Sequence, residues 1–247
     1  MSLAIIGGTG LVNVAQVLES SETATIETPY GEGHVVKGVV KGKNIIVLPR
    51  HGVGHDTPPH KINYRANIWT LKELGVTHTF ALAAVGSLRN EIAPGDFVLI
   101  DQFIDFTKGR ASTFFETGDE DLKHIDMNEP YDPRLRVYLG QAIEQKEIRY
   151  HPSGTYICTE GPRFETPAEI KFFQQIGGDV VGMTGVPEVV LANEADISYA
   201  TLAVASNYAA GITGNRLRHE ECIEEMHRWD RVIFDIFIRA GEIGKLL

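Results

Sequence analysis

Gly178-Asp-Val-Val-Gly-Met-Thr-Gly-Val-Pro-Glu188 is the stretch on which the reading of this chain turns. Val180 and Val181 are β-branched and read as the end of a short buried strand. Gly182 and Gly185 let the backbone turn tightly without a Cβ clash. Pro187 suits the first turn of a helix, where its missing N–H costs nothing. Glu188 complements the positive end of the helix dipole. The turn therefore presents Met183 and the Thr184 hydroxyl beside a helix N-terminus, a position that favours anions. An ordinary strand-to-helix connection would use the same residue types, so the neighbouring segments have to decide.

Working outward, the same pattern recurs. Leu3 to Ile6 is a short apolar strand running into Gly7-Gly8-Thr9-Gly10. Gly8 and Gly10 fit the first two glycines of a dinucleotide-binding turn, but Asn13 stands where the third is needed. Thr23 to Glu27, Val35 to Val40 and Asn44 to Leu48 then read as consecutive strands, whereas a nicotinamide-binding fold alternates strands with helices. A turn that touches one phosphate fits better; a nicotinamide-dependent oxidoreductase is the alternative of another class. Strand 44–48 ends in Pro49-Arg50-His51-Gly52, where a guanidinium matches the geometry of an oxyanion or makes a surface ion pair. His51 and His55 share a Gly/Pro-rich loop rather than a helix face, so no metal site is expected.

Residues 63–74 read as a helix with Ala66, Trp69, Leu71 and Leu74 available for burial, stopped by Gly75. Residues 77–85 and 96–101 read as strands, the first ending in Ala84-Val85-Gly86-Ser87. Residues 108–133 carry little periodicity and read as a long loop. A helix over 132–147, a strand over 154–158 and a helix over 168–176 follow. Between the last two, Thr159-Glu-Gly-Pro-Arg-Phe-Glu-Thr-Pro167 sets Phe164 in a turn. Residues 197–206 form the last strand, ending at Asn207, and 220–241 the last helix. No linker, repeat or low-complexity tract breaks the chain, which reads as one domain over 1–247.

Composition narrows the function. The 247 residues are 43% hydrophobic and 23% charged, enough for a full core. A formal net charge of -10 argues against a nucleic-acid partner. Two cysteines, Cys158 and Cys222, exclude a disulfide framework, and no Cys/His spacing points to zinc. No apolar run approaches a membrane span and the N-terminus carries no leader pattern, so the expectation is a cytoplasmic protein.

Six strand ends thus finish in small-residue polar turns, at Thr9, Arg50, Ala84, Phe164, Thr184 and Asn207. Ligands of α/β sheets gather at such ends. The sum resembles the trimeric purine nucleoside phosphorylase and methylthioadenosine phosphorylase family. The resemblance is carried by Ile5-Ile-Gly-Gly-Thr-Gly10, Arg50-His51, Asn63-Tyr-Arg-Ala-Asn-Ile-Trp69, the run from Gly86 to Asp96, Glu160-Gly-Pro-Arg-Phe-Glu-Thr166 and Gly182-Met-Thr-Gly-Val-Pro-Glu188. It extends nearly end to end and is weakest over 209–219.

The resemblance implies an α/β fold with a central mixed sheet flanked by helices. It also implies a homotrimer, or a dimer of trimers, with sites near subunit boundaries. No cofactor is implied; inorganic phosphate is a co-substrate. Thr9, Arg50, His51, the Ala84 backbone N–H and Thr184 would surround the phosphate. Methylthioadenosine phosphorylases carry Thr where this chain has Ala83, so one hydroxyl contact would be missing. Met183 would lie against the ribose, with Tyr64 at its border. Phe164 would stack on the purine, while Glu165 and Asn207, with Tyr208 and Ala209 beside it, read the base edge. Arg50, His51 and Asn207 are the residues expected to act in catalysis.

The base edge discriminates. A 6-oxopurine has a proton on N1 and an acceptor at O6, which suit a carboxylate at Glu165 and an amide donor at Asn207. That amide would also accept from N7 as the leaving base gains a proton. Adenine inverts both contacts, and each buried mismatch costs roughly 1–3 kcal/mol. Adenine-specific relatives use Ser at the Glu165 position, and Asp where this chain has Asn207 and Ala209. Inosine, guanosine or 5'-methylthioinosine is therefore the expected substrate class, with 5'-methylthioadenosine the runner-up. Read singly, Glu165 is also a helix-start residue and Asn207 a turn former. His219 resembles a residue placed on the 5'-hydroxyl, or simply begins an exposed helix. His124 resembles a residue that reaches a neighbouring subunit's site.

Overall fold

The computed structural model describes residues 3–8, 17–54, 56–116, 122–214 and 217–247. Thr9 and His55 lie outside them, so the expectations attached to those two residues are not addressed by the structure.

Eleven strands and five α-helices are found among the described residues. The strands are β1 (Leu3–Gly7), β2 (Ser20–Thr28), β3 (Gly31–Val40), β4 (Lys43–Pro49), β5 (His78–Ser87), β6 (Phe97–Leu99), β7 (Gln102–Phe106), β8 (Tyr150–His151), β9 (Thr155–Thr159), β10 (Val180–Gly182) and β11 (Ser198–Tyr208). The helices are α1 (Tyr64–Glu73), α2 (Pro133–Glu144), α3 (Pro167–Gln175), α4 (Glu188–Glu194) and α5 (His219–Ile243).

One mixed sheet takes every strand, in the order β2-β3-β4-β1-β5-β10-β9-β7, with β11 paired to β5 and β6 and β8 paired to β6. β5 is the shared member: β11 runs parallel to it along its length, β1 runs parallel to its first four residues, and β10 joins its last residues antiparallel. Alternation along the strands builds a core on each face of this sheet. Ala4, Ile6, Ala81, Ala83, Val85 and Ala203 pack with α1 and α4. Leu3, Ile5, Phe80, Leu82, Leu202 and Val204 pack with α2 and α5.

The helix starts are set by local chemistry. Asn63 caps α1, its side chain accepting from the Ala66 N–H at 3.1 Å. Asp132 caps α2 ahead of Pro133, and Thr166 with Glu169 forms a capping box on α3 ahead of Pro167. Two strands escape the sequence reading. β7 alternates little, and β8 is two residues long and exists only through its pairing with β6. Pro187 differs from expectation too: it is the N-cap of α4 and follows a cis peptide bond, so the helix begins at Glu188.

Candidate active site

A cavity of about 440 Å³ opens where the strand ends gather. Arg50 and His51 reach it from the end of β4, and Ala84 and Gly86 from the end of β5. Phe164 and Glu165 follow β9, Met183 and Thr184 follow β10, and Asn207 closes β11 with Ala209 beyond it. His219, exposed at the start of α5, lines the same cavity.

Tyr208 and Tyr64 are not part of this lining. The Tyr208 hydroxyl donates to the Asn90 carbonyl at 3.4 Å. The Tyr64 hydroxyl donates to the Pro59 carbonyl at 3.1 Å and accepts from Arg110 at 2.9 Å. Ala83 is 2% exposed and belongs to the core on the α1 face, and His124 lies exposed on the long loop.

Arg50 is 3% exposed, and its partner is a residue the sequence reading gave another task. Nε and Nη2 donate to the two carboxylate oxygens of Glu188 at 2.6 and 2.7 Å, and Nη1 donates to the Leu82 carbonyl at 2.8 Å. Glu188 is fully buried and takes a third hydrogen bond from the Tyr199 hydroxyl at 2.5 Å. Burial opposes the Arg50 charge, but Glu188 outweighs it and holds the guanidinium protonated well above its ordinary range. Three of five N–H donors are used, which leaves two. Gly8 matters here because a Cβ on it would stand 3.3 Å from Arg50 Nη1 and 3.2 Å from His51 Cδ2. His51 is oriented by its own loop, with Nδ1 2.8 Å from the Thr57 carbonyl. That contact places the Nδ1 proton on the Thr57 side in the neutral ring.

The turn after β10 is held from below by Tyr156. Its fully buried hydroxyl accepts from the backbone N–H groups of Thr184 at 3.1 Å and Gly185 at 3.3 Å. These two turn amides are therefore committed, and the Thr184 side chain is what this part of the turn offers. Gly182 and Gly185 are required by the same ring: a Cβ on either would come within 2.4 or 3.0 Å of Tyr156 atoms.

Also in the cavity lining, Glu165 is 8% exposed and accepts from the Thr159 hydroxyl at 2.7 Å. Burial raises its pKa above the ordinary glutamate value, opposed by the Thr159 hydrogen bond. Asn207 is aimed by a bulge in β11: the register with β5 shifts between Ala205 and Asn207, which brings Asn207 opposite Gly86. Its Oδ1 accepts from Ser206 Oγ at 2.9 Å and Cys222 Sγ at 3.2 Å, and its Nδ2 donates to the Tyr208 carbonyl at 2.8 Å. Of the two roles expected for Asn207, donor and acceptor, the acceptor atom is thus already occupied by two donors.

Glu188, Tyr156, Thr159, Ser206 and Cys222 are the residues that the sequence reading missed. Glu188, Tyr156 and Cys222 act through partners farther along the chain and Ser206 through the bulge, while Thr159 meets Glu165 across the turn that both flank. Among the described residues no group of three or more His, Cys, Asp or Glu side chains could hold a metal ion.

Residues 2–240 match the model of the phosphorylase superfamily, and the chain belongs to that family. It is 52% identical to a probable 6-oxopurine nucleoside phosphorylase of Dictyoglomus turgidum, over 92% of this chain and 85% of that protein. It is 48% identical to the 6-oxopurine nucleoside phosphorylase of Pyrococcus furiosus, over 96% and 91%. It is also 46% identical to a probable S-methyl-5'-thioinosine phosphorylase of Methanothermobacter thermautotrophicus, over 96% and 82%. Among solved structures, methylthioadenosine phosphorylase of Schistosoma mansoni in complex with adenine superposes with a TM-score of 0.93 at 35% identity, covering 99% of this chain and 92% of that one. The expected α/β architecture and family therefore hold, and the nicotinamide alternative loses its footing.

Proposed function

We propose that this protein splits the glycosidic bond of 6-oxopurine nucleosides with inorganic phosphate, releasing the free base and a pentose 1-phosphate. The observation that carries the reading is one cavity lined by two unlike sets of side chains. Arg50, His51 and Thr184 suit a phosphate; Phe164, Glu165 and Asn207 suit a keto purine.

The chemistry needs no protein nucleophile. A phosphate oxygen bonds to the anomeric carbon as the C–N bond breaks, and the electron pair leaves with the base. The protein aligns the two reactants and stabilises the separating charge. Arg50 supplies two N–H groups to the anion, in an orientation Glu188 has already fixed. Glu165 as a carboxylate accepts from N1–H, and the Asn207 amide donates to O6.

A second reading of the sugar end has its own support. Leu217 and Ile223 line the cavity together with His219, and apolar side chains suit a 5'-methylthio group. Steady-state rates with phosphate on inosine, guanosine, methylthioinosine and methylthioadenosine test both. Inosine or methylthioinosine is expected to lead, and a clear preference for methylthioadenosine overturns the proposal. Sulfate or phosphate at a hundredfold its Kd adds about 2.7 kcal/mol of stability, seen as a raised Tm that NAD does not produce.

We further place the enzyme in the cytoplasm, where its two buried free thiols fit a reducing compartment, and as a trimer. Analytical ultracentrifugation checks the assembly.

A further inference from the structure

The Asn207 amide is held by more than its own turn. Ser206, the bulged residue of β11, has one hydrogen to donate, with Oδ1 at 2.9 Å its nearer acceptor and the Val85 carbonyl at 3.3 Å the other; Cys222, in the first turn of α5, has Oδ1 at 3.2 Å and the Arg218 carbonyl at 3.5 Å, so each donates to Oδ1 over its shorter contact. Cys222 is 8% exposed and lines the cavity. A carbonyl oxygen has two lone pairs, and both are filled. Nδ2 spends one hydrogen on the Tyr208 carbonyl and keeps one. Turning the amide by a half-rotation would send the Ser206 and Cys222 hydrogens to their longer contacts on the Val85 and Arg218 carbonyls and set the amide oxygen against the Tyr208 carbonyl, so the orientation found is the better bonded of the two. Burial raises the Cys222 thiol pKa above its ordinary value, so the thiol stays protonated and a donor at neutral pH.

We propose that Cys222 is a specificity-determining positioning residue: with Ser206 it locks the Asn207 amide so that the side facing a bound base is an N–H donor. The proposal rests on the 6-oxopurine reading. A base with an acceptor at position 6 meets that donor directly. A base with an amino group there meets donor against donor, and is accommodated only if the amide turns over. An apolar residue at position 222 would fill the same space and leave the amide freer to turn. The thiol is the weaker of the two donors, so the lock is adjustable: strengthening or removing that one contact changes selectivity without altering a group that touches the base.

The test compares wild type, Cys222→Val and Cys222→Ser, measuring kcat/KM for inosine and adenosine with phosphate. Cys222→Val is expected to raise the adenosine-to-inosine ratio about three- to tenfold, the worth of one hydrogen bond. Cys222→Ser, which keeps a donor, is expected to restore the wild-type ratio. A purely structural role would depress both substrates in parallel. A ratio within twofold of wild type in Cys222→Val, or equal ratios in the two variants, overturns the proposal. Should Cys222→Val not fold, methyl methanethiosulfonate reads the same point on the native enzyme. Its sulfenyl sulfur is attacked by the thiolate, methanesulfinate leaves, and the S–S–CH3 group has no proton to donate; an unchanged ratio after that treatment again overturns it. Cys158, 0% exposed, is sheltered from the reagent. If wild type does not turn over inosine, the function is wrong rather than the lock, and calorimetric affinities for hypoxanthine and adenine supply the same ratio.

Discussion

Arg50 and Glu165 are both ionisable, both nearly buried and both in the wall of one cavity, yet they are held in opposite ways. Arg50 meets a carboxylate with two hydrogen bonds, and that carboxylate is steadied in turn by Tyr199. Glu165 meets the Thr159 hydroxyl and a backbone N–H, and has no ion-pair partner among the described residues. A paired charge keeps its orientation whether or not a ligand is present. An unpaired carboxyl with spare acceptor capacity is satisfied only when a ligand brings the missing donor. The first arrangement suits an anion that every substrate shares; the second suits a base that must be told from its neighbours.

The most severe way to break that contrast is Glu188→Ala. It leaves Arg50 buried and uncompensated, a loss of roughly 3–5 kcal/mol. Thermal melting is expected to show a fall of about 6–20 degrees for a domain of this size. An unshifted Tm would mean that the pair is not what fixes Arg50. Next comes Asn207→Asp, which puts an acceptor where the amide donates. The adenosine-to-inosine ratio of kcat/KM is expected to rise about 10- to 100-fold, the worth of roughly 1–3 kcal/mol; unchanged selectivity would remove Asn207 as reader of the base.

The mildest effect is one of pH. Glu165 has a folded-state pKa raised by burial, so its contribution to the stability of the free protein is fully present below the ordinary glutamate pKa. That contribution is lost as pH rises through the raised value and the buried group ionises. Accepting from N1–H needs the ionised form. Inosine kcat/KM is therefore expected to fall as pH drops through the raised pKa, at a higher pH than an ordinary glutamate would give, while the unliganded protein gains stability from this group. Glu165→Gln should remove that acid limb from the rate profile and leave the limb of any other group in place.

Much of the site was legible because its parts sit at strand ends, where glycines, prolines and short polar residues announce a turn. Arg50, Phe164, Glu165 and Thr184 follow a strand and Asn207 lies at the end of one, and the structure brings them to one cavity. What holds them was not legible. Glu188 looks like a helix-start acid in its own segment, and its partner lies 138 residues away. Tyr156 is an alternating strand residue until the β10 turn folds over it. β8 has too few residues to show a period and is defined by its neighbour. Local spacing records which way a chain turns; it does not record which distant side chain a buried charge will meet.

The sharing of β5 has one more consequence. Its early residues are flanked by β1, whose end carries Gly8, and its last residues pair with Asn207 and with the strand that leads to Thr184. The proposed anion seat and base seat thus hang from a single rail. A change that tilts that rail moves both seats together, so the distance over which phosphate and nucleoside must meet is set by ten consecutive residues, His78–Ser87.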